Sequence, residues 1–411
     1  MTAHRPHHAP GPSTGGRGSP GRDERRRRPS VVVGILVVVA VTLAVVAAGA
    51  LLPGVPWVGH VGGYAAAWAP WIVVAGLVVT LGAAATLLRH GTVARVVAVA
   101  GGLVAAAAAL VVVTQQLRVA QEHAVGVQIA ELFRLTPGDV GADLDARYGE
   151  VDGEPQDLSL WLPEGGAAEA APVVVLVHGG GWVSGDRLQR TTASHAAWFA
   201  AQGYLAVSID YPLSSDDRHR WDTVEPQVAC ALAWVGEHAA EHGGDATELF
   251  LAGDSAGGNL ALEVAYRTAA GDLEPACDGH LPPVAAVSTL YPVASPVGVH
   301  DNPDPVMGPR GRELTERYTG GTPSQHAERY AAITPAEHVT PGAPPTLIVT
   351  GEADHLVPPD GSQELAAVLA GQGVRQELVL LPAADHVFDT APGGVGTQVW
   401  RDLTLRLFAR S

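Results

Sequence analysis

The chain has 411 residues, with 25 basic residues, all of them Arg, against 42 acidic ones, a formal net charge of −17 and 47% apolar residues. It is too long for one ordinary domain and apolar enough for a large core. Charge is unevenly spread: residues 1–30 hold seven Arg against Asp23 and Glu24, residues 31–114 hold no acid, and residues 115–411 hold 16 Arg against 40 acids, a net −24, which argues against nucleic-acid binding by that part.

Residues 1–30, rich in Gly, Pro, Ser and Arg, read as a disordered basic cytoplasmic tail. His4, His7 and His8 are ordinary tail residues rather than a metal site on this reading. Residues 31–52 form a run of 22 without a charge, enough to cross a bilayer core of about 30 Å as a helix. Two further runs, 69–88 and 93–113, are separated by a short turn with Arg89 and His90, and Arg95 follows just inside the third run. Residues 31–114 are therefore expected to be a three-helix transmembrane region. The segment between the first two spans holds Pro53, Pro56, Trp57, Tyr64 and Trp68, residue types that turn the chain and favour the membrane interface. Arg22 and Arg25, Arg26, Arg27 and Arg28 before the first span, with Arg89 and Arg95 at the second turn, place both on the cytoplasmic side. Three crossings then put the rest of the chain outside the cytoplasm. A cleaved signal peptide ending at the Ala48 and Ala50 small-residue site is the rival, and it leaves the larger part on the same side.

Residues 115–144 are expected to be a juxtamembrane helix over 115–135 and a linker. From residue 145 apolar strand-like runs alternate with helical ones, the pattern of an α/β domain. The runs 173–177, 205–209, 249–252, 284–290 and 346–350 read as buried central strands, and 261–269 has helical composition. Residues 292–340 interrupt the pattern with Pro303, Pro305, Arg310 and Arg312, and are taken as an insertion covering the site, with a passive surface loop as the alternative. Cys230 and Cys277 lack a redox or zinc spacing. Outside the cytoplasm they are able to form a disulfide; inside it they are two small buried thiols.

The chemistry sits where strands end. Gly253-Asp254-Ser255-Ala256-Gly257 has the G-x-S-x-G form between an apolar strand and a helix, a strained turn that presents the serine hydroxyl and needs small neighbours. Upstream, His178-Gly179-Gly180-Gly181 ends an earlier strand, and its bare backbone brings N–H donors close to a substrate oxygen. Gly180, Gly181 and the amide of Ala256 are the expected oxyanion-hole donors, while His178 is expected to be structural. A serine needs a base, and in this fold the order is Ser, acid, His. His386 follows the run 378–381 near the C-terminus, and Asp354 follows the strand ending at Thr350. Asp385 is a rival acid, but as the immediate neighbour of His386 it needs an awkward reversal to reach the ring. His355 is tied to the acid motif.

On these motifs the region 145–411 resembles the α/β-hydrolase superfamily, and within it the esterase/lipase group similar to hormone-sensitive lipase, which pairs HGGG with GDSAGG. HGGGW, D-Y-P, GDSAGGN, PPTLIVTGEADHLVP and DHVF stand in that group's order and spacing. The resemblance implies an α/β-hydrolase fold, a mostly parallel sheet flanked by helices, here preceded by three transmembrane helices. It also implies a serine carboxylic-ester hydrolase working through an acyl-enzyme with Ser255, His386 and Asp354, on a small acyl ester. No cofactor and no metal are expected. Two departures stand out: DHLVP replaces the usual DPL form, and no Arg follows Tyr211. The sequence is also similar to feruloyl-esterase, acetyl-esterase and formamidase-like branches. An amidase or short-peptide hydrolase uses the same triad, and a catalytically idle binding module would keep the fold without turnover. A transporter is excluded because the spans hold no acid and no interior charged pair.

Overall fold

The computed structural model describes residues 2, 22–87, 92–138, 140–163 and 170–411; for residues 22–30 and 87 only the helical backbone is described. The expectations for His4, His7 and His8, and for the turn with Arg89 and His90, lie outside the described residues.

Four helices open the chain: α1 (Arg22–Gly49), α2 (Val58–Ala66), α3 (Ala69–Leu87) and α4 (Val93–Glu122). Within α1, α3 and α4 the stretches Val31–Gly49, Ala69–Thr86 and Val93–Glu122 are long and apolar enough to cross a membrane. Their outer faces leave Ile35, Val38, Leu81, Leu103 and Leu110 uncovered by protein. Small residues set the inner contacts. A Cβ on Gly102 would lie 2.4 Å from Thr80 Oγ1 and 2.7 Å from the Gly76 carbonyl, so α3 and α4 meet backbone to backbone.

Two expectations for this region are corrected. The helix begins at Arg22, within the stretch read as a disordered tail, because Arg is a good helix former and here adjoins a long apolar helix. The juxtamembrane helix expected over 115–135 is instead the last part of α4, which stops at Glu122. Ala124 then takes a left-handed φ of 55°. The Arg406 guanidinium donates to the carbonyls of His123 and Ala124 at 2.9 and 2.6 Å. Beyond it Val125 and Leu132 are buried against the larger domain, with one short turn at Glu131–Phe133. Tertiary anchoring overrides the helical propensity of this stretch.

The larger domain runs β1 (Leu144–Val151), β2 (Glu154–Trp161), β3 (Ala171–Val177), α5 (Arg190–Ala201), β4 (Leu205–Ile209), α6 (Val224–His238), β5 (Gly244–Asp254), α7 (Ser255–Ala270), β6 (Val284–Leu290), α8 (Pro296–His300), α9 (Gly308–Thr319), α10 (Ala327–Ala332), β7 (Thr346–Gly351), α11 (Asp360–Gly371), β8 (Gln376–Leu381) and α12 (Val395–Phe408). The eight strands form one sheet in the order β1-β2-β4-β3-β5-β6-β7-β8. β2 is antiparallel to both β1 and β4, and the remaining neighbours are parallel. This is the α/β-hydrolase architecture expected from the sequence.

The continuous apolar runs follow from burial on both faces of the sheet. Val173, Val175 and Val177 face a layer containing Val228 of α6, Leu260 of α7 and Leu365 of α11. Val174 and Leu176 face the opposite layer with Phe199 of α5 and Trp400 of α12. The β1–β2 hairpin lies outside the strands expected from the sequence. Its turn carries Asp152 and Gly153 at φ 54° and 83°, an Asp-Gly pair suited to a tight hairpin. Parallel strands bring the C-terminal ends of β3, β5 and β7 to one edge, where ligands bind in open α/β sheets.

Residues 292–340 form α8, α9, α10 and a short turn at Pro335–His338. Cys230 on α6 is joined to Cys277 by a disulfide, with Cα atoms 5.7 Å apart and a sequence separation of 47. Closing a loop of that length is worth on the order of 2–4 kcal/mol. The double variant Cys230→Ser/Cys277→Ser should therefore melt several degrees lower, and the unfolded, unreduced parent should titrate no free thiol.

Candidate active site

Ser255 is the first residue of α7 and holds a left-handed φ of 53°, a strained position for a residue with a Cβ. The neighbouring glycines allow it. A Cβ at Gly253 would lie 2.4 Å from the Gly257 carbonyl, and one at Gly257 would lie 2.1 Å from the carbonyl of Val177 at the end of β3. The spacing of G-x-S-x-G thus records two backbone approaches too close for any side chain.

His386, on the loop after β8, reaches Ser255 Oγ with Nε2 at 2.9 Å. Its Nδ1 meets Asp354 Oδ2 at 2.8 Å. Asp354, on the loop after β7, is held by the amides of Leu356 and Val357, which donate to Oδ1 at 3.0 and 2.8 Å. All three side chains are buried. Burial opposes a charge on His386, but the Asp354 carboxylate, helped by Asp385 and Asp254, outweighs it and holds the imidazole above its ordinary value of 6.5.

The rival acid, Asp385, does not face the His386 ring in this way. Its Oδ2 meets His355 Nδ1 at 2.6 Å, and its Oδ1 accepts the amides of His355 and His386 at 2.9 and 2.8 Å.

Gly180 and Gly181 have φ of 128° and 63°, and both stand on the same cavity as Ser255. A Cβ at Gly180 would lie 1.8 Å from the Ser184 carbonyl. The Ala256 amide belongs to the first turn of α7, where helical N–H groups have no partner four residues back. The glycine loop is tied to the turn at Ser255 by the Gly179 amide, which donates to Asp254 Oδ1 at 3.1 Å. Burial, together with the Asp389 carboxylate, pushes Asp254 up to about 7. His178 stacks on Tyr211 at 4.3 Å and bonds its own loop at the Gly179 carbonyl, a structural placement.

Asn259, the last letter of GDSAGGN, is a further residue of the site. Fully buried, it accepts from Trp182 Nε1 at 3.3 Å and donates to the carbonyls of Val293 and Ile333, both at 3.0 Å. It thereby joins HGGGW, α7 and the insertion. Both residues stand in the quoted motifs, and that is the signal that could have found them.

The cavity over Ser255 holds about 370 Å³ and is lined also by Thr191, Leu356 and Val387, with Arg310 and Leu314 from α9. The insertion therefore supplies part of the cavity wall. A second cavity of about 400 Å³, beside Trp198, Gln398 and Arg401, contains none of the three residues Ser255, Asp354 and His386.

The BD-FAE family profile matches residues 158–369, just over half of the chain. Among curated relatives, esterase LipC of Mycobacterium tuberculosis is 32% identical over 246 residues, which cover 59% of this chain and 59% of LipC. Human hormone-sensitive lipase is 32% identical over 156 residues, covering 37% of this chain and 14% of the lipase. The chain thus spans less than two thirds of the length of either relative. Among solved structures, the butyrate-bound esterase Est2 of Thermogutta terrifontis superposes with a TM-score of 0.53 at 27% identity, covering 68% of this chain and 98% of Est2. The chain belongs to the BD-FAE family, within the esterase/lipase group of α/β hydrolases.

Proposed function

We propose that the protein is a membrane-anchored carboxylic-ester hydrolase that works through an acyl-enzyme. The observation that carries this reading is the unbroken relay Ser255 Oγ, His386, Asp354 on an open cavity. Ser255 Oγ attacks the ester carbonyl carbon while His386 Nε2 takes the hydroxyl proton. Negative charge on the carbonyl oxygen is met by the amides of Gly180, Gly181 and Ala256, each such donor being worth about 3 kcal/mol at the transition state. The tetrahedral intermediate collapses, His386 protonates the departing alkoxide, and water repeats the sequence on the acyl-Ser255 bond. Asp354 orients the ring and stabilises its charged form.

A small acyl group is supported by the cavity volume and by the similarity to Est2, which was solved with butyrate bound. Membrane anchoring is supported by the three apolar helices. Placement of the larger domain outside the cytoplasm is supported by its Cys230–Cys277 disulfide, a bond that persists in oxidising compartments.

Hydrolysis of p-nitrophenyl acetate, butyrate and octanoate by the full-length protein in detergent, beside the matched anilides, tests the reaction class. Turnover of short esters with little of the anilides is expected; anilides cleaved as fast as esters would replace this reading with an amidase. The pH dependence is a second check. His386 acts as a base only when neutral, and its value is raised, so the acidic limb of kcat/KM should be centred above 6.5. A limb centred well below 6.5 would show that another group controls the reaction.

A further inference from the structure

The departure DHLVP and the rival acid Asp385 meet in one feature. Each catalytic loop contributes an Asp-His dipeptide, Asp354-His355 and Asp385-His386, and the two are paired crosswise. Asp354 holds His386 at 2.8 Å and Asp385 holds His355 at 2.6 Å. Asp385 also accepts both backbone amides, of His355 and His386, so one buried carboxylate fixes the two loops to each other directly behind the catalytic pair.

The outer side of this second pair is closed by the segment between the first two spans. His355 Nε2 bonds the Pro53 carbonyl at 3.0 Å, and its ring stacks on His60 of α2 at 4.1 Å. His60 Nε2 in turn meets Asp304 at 2.9 Å. Gly63 of α2 lies so close that a Cβ there would be 2.7 Å from Asp385 Oδ2. On the same side Gln116 of α4 donates to the Pro382 carbonyl at 3.2 Å.

His60, Asp304 and His355 carry ligand-type atoms within 4.8 Å of one another, but the hydrogen bonding does not suit an ion. The Trp57 amide donates to His60 Nδ1 at 3.1 Å, which leaves the proton on Nε2. The Pro53 carbonyl likewise fixes a proton on His355 Nε2. With Nδ1 also facing a carboxylate, His355 is arranged as an imidazolium.

We propose that the His355–Asp385 pair is a positioning device for the catalytic loops, completed by α2 and Pro53, so that turnover depends on the membrane-proximal segment staying docked. The proposal rests on the hydrolase reading above. Asp385, Asp304 and His60 face His355, and Tyr64 lies near Asp385. Burial opposes the charge on His355, but the bonds to Asp385 and Pro53 prevail and raise it to about 9. The pair is therefore complete below about 6.5 and is lost as pH rises through about 9.

The test uses the full-length protein in detergent with p-nitrophenyl butyrate. Asp385→Asn keeps an oxygen for the two amides and removes the charge. It should lower kcat about tenfold with KM within about twofold, and abolish the decline of kcat centred near pH 9. Gly63→Ala touches neither catalytic loop in sequence, and should lower kcat about threefold and move the alkaline limb downward. If Asp385→Asn does not fold, Gly63→Ala carries the test. Wild-type kcat and pH profile in a folded variant, with Ser255→Ala inactive, would overturn the positioning proposal and leave the hydrolase reading intact. A parent protein no more active than Ser255→Ala would overturn the hydrolase reading, and the positioning proposal with it.

Discussion

Ser255→Ala should lower kcat for p-nitrophenyl butyrate by roughly 10⁴- to 10⁶-fold while the protein keeps its melting temperature within a few degrees. The magnitude follows from the removal of the hydroxyl that lies 2.9 Å from His386 Nε2 on the cavity wall. Catalysis that survives would come from the oxyanion donors and binding alone. Stability should change little, because alanine carries the same Cβ as serine and meets the same left-handed φ of 53°. Steady-state rates beside differential scanning calorimetry check both halves. A variant retaining more than about a tenth of the activity would remove Ser255 from the mechanism.

Asp354→Asn should be nearly as damaging, about 10⁴-fold in kcat at neutral pH. The amides of Leu356 and Val357 hold one oxygen of Asp354 in place, so an asparagine keeps that anchor and turns its NH₂ toward His386. The imidazole then accepts at Nδ1 and carries its proton on Nε2, where it is unable to take the proton of Ser255. The contrast with Asp385→Asn is diagnostic. Asp385 bonds His355 rather than the His386 ring, so a loss of about tenfold is expected there. Similar losses in the two variants would mean that the acids share the role.

Much of this was legible in the sequence, for reasons that are local. The strands read correctly because β3, β4 and β5 are buried on both faces and their apolar runs are unbroken. The strand-to-helix turn at Ser255 was legible because Gly253 and Gly257 answer backbone contacts that no other residue tolerates. Less legible was whatever depends on distant partners. The stretch 115–135 has helical composition, yet it ends as a helix at Glu122 because Arg406, 283 residues on from His123, takes its carbonyls. Asp385 and His355 are bland on their own loops; their crossed pairing emerges only when β7 and β8 lie side by side and bring the following loops together. The contact from Pro53 spans 302 residues and joins segments of opposite hydropathic character, so no pattern in either announces the other. The β1–β2 turn is a different case, since Asp152-Gly153 was a hairpin signal in plain view.

The most direct test of the central claim is to incubate the full-length protein with a fluorophosphonate, digest it and map the adduct by mass spectrometry. A serine activated by His386 should be labelled stoichiometrically at Ser255, with loss of esterase activity in step and labelling abolished in His386→Ala. Adducts elsewhere, or full inactivation with Ser255 unmodified, would contradict the account.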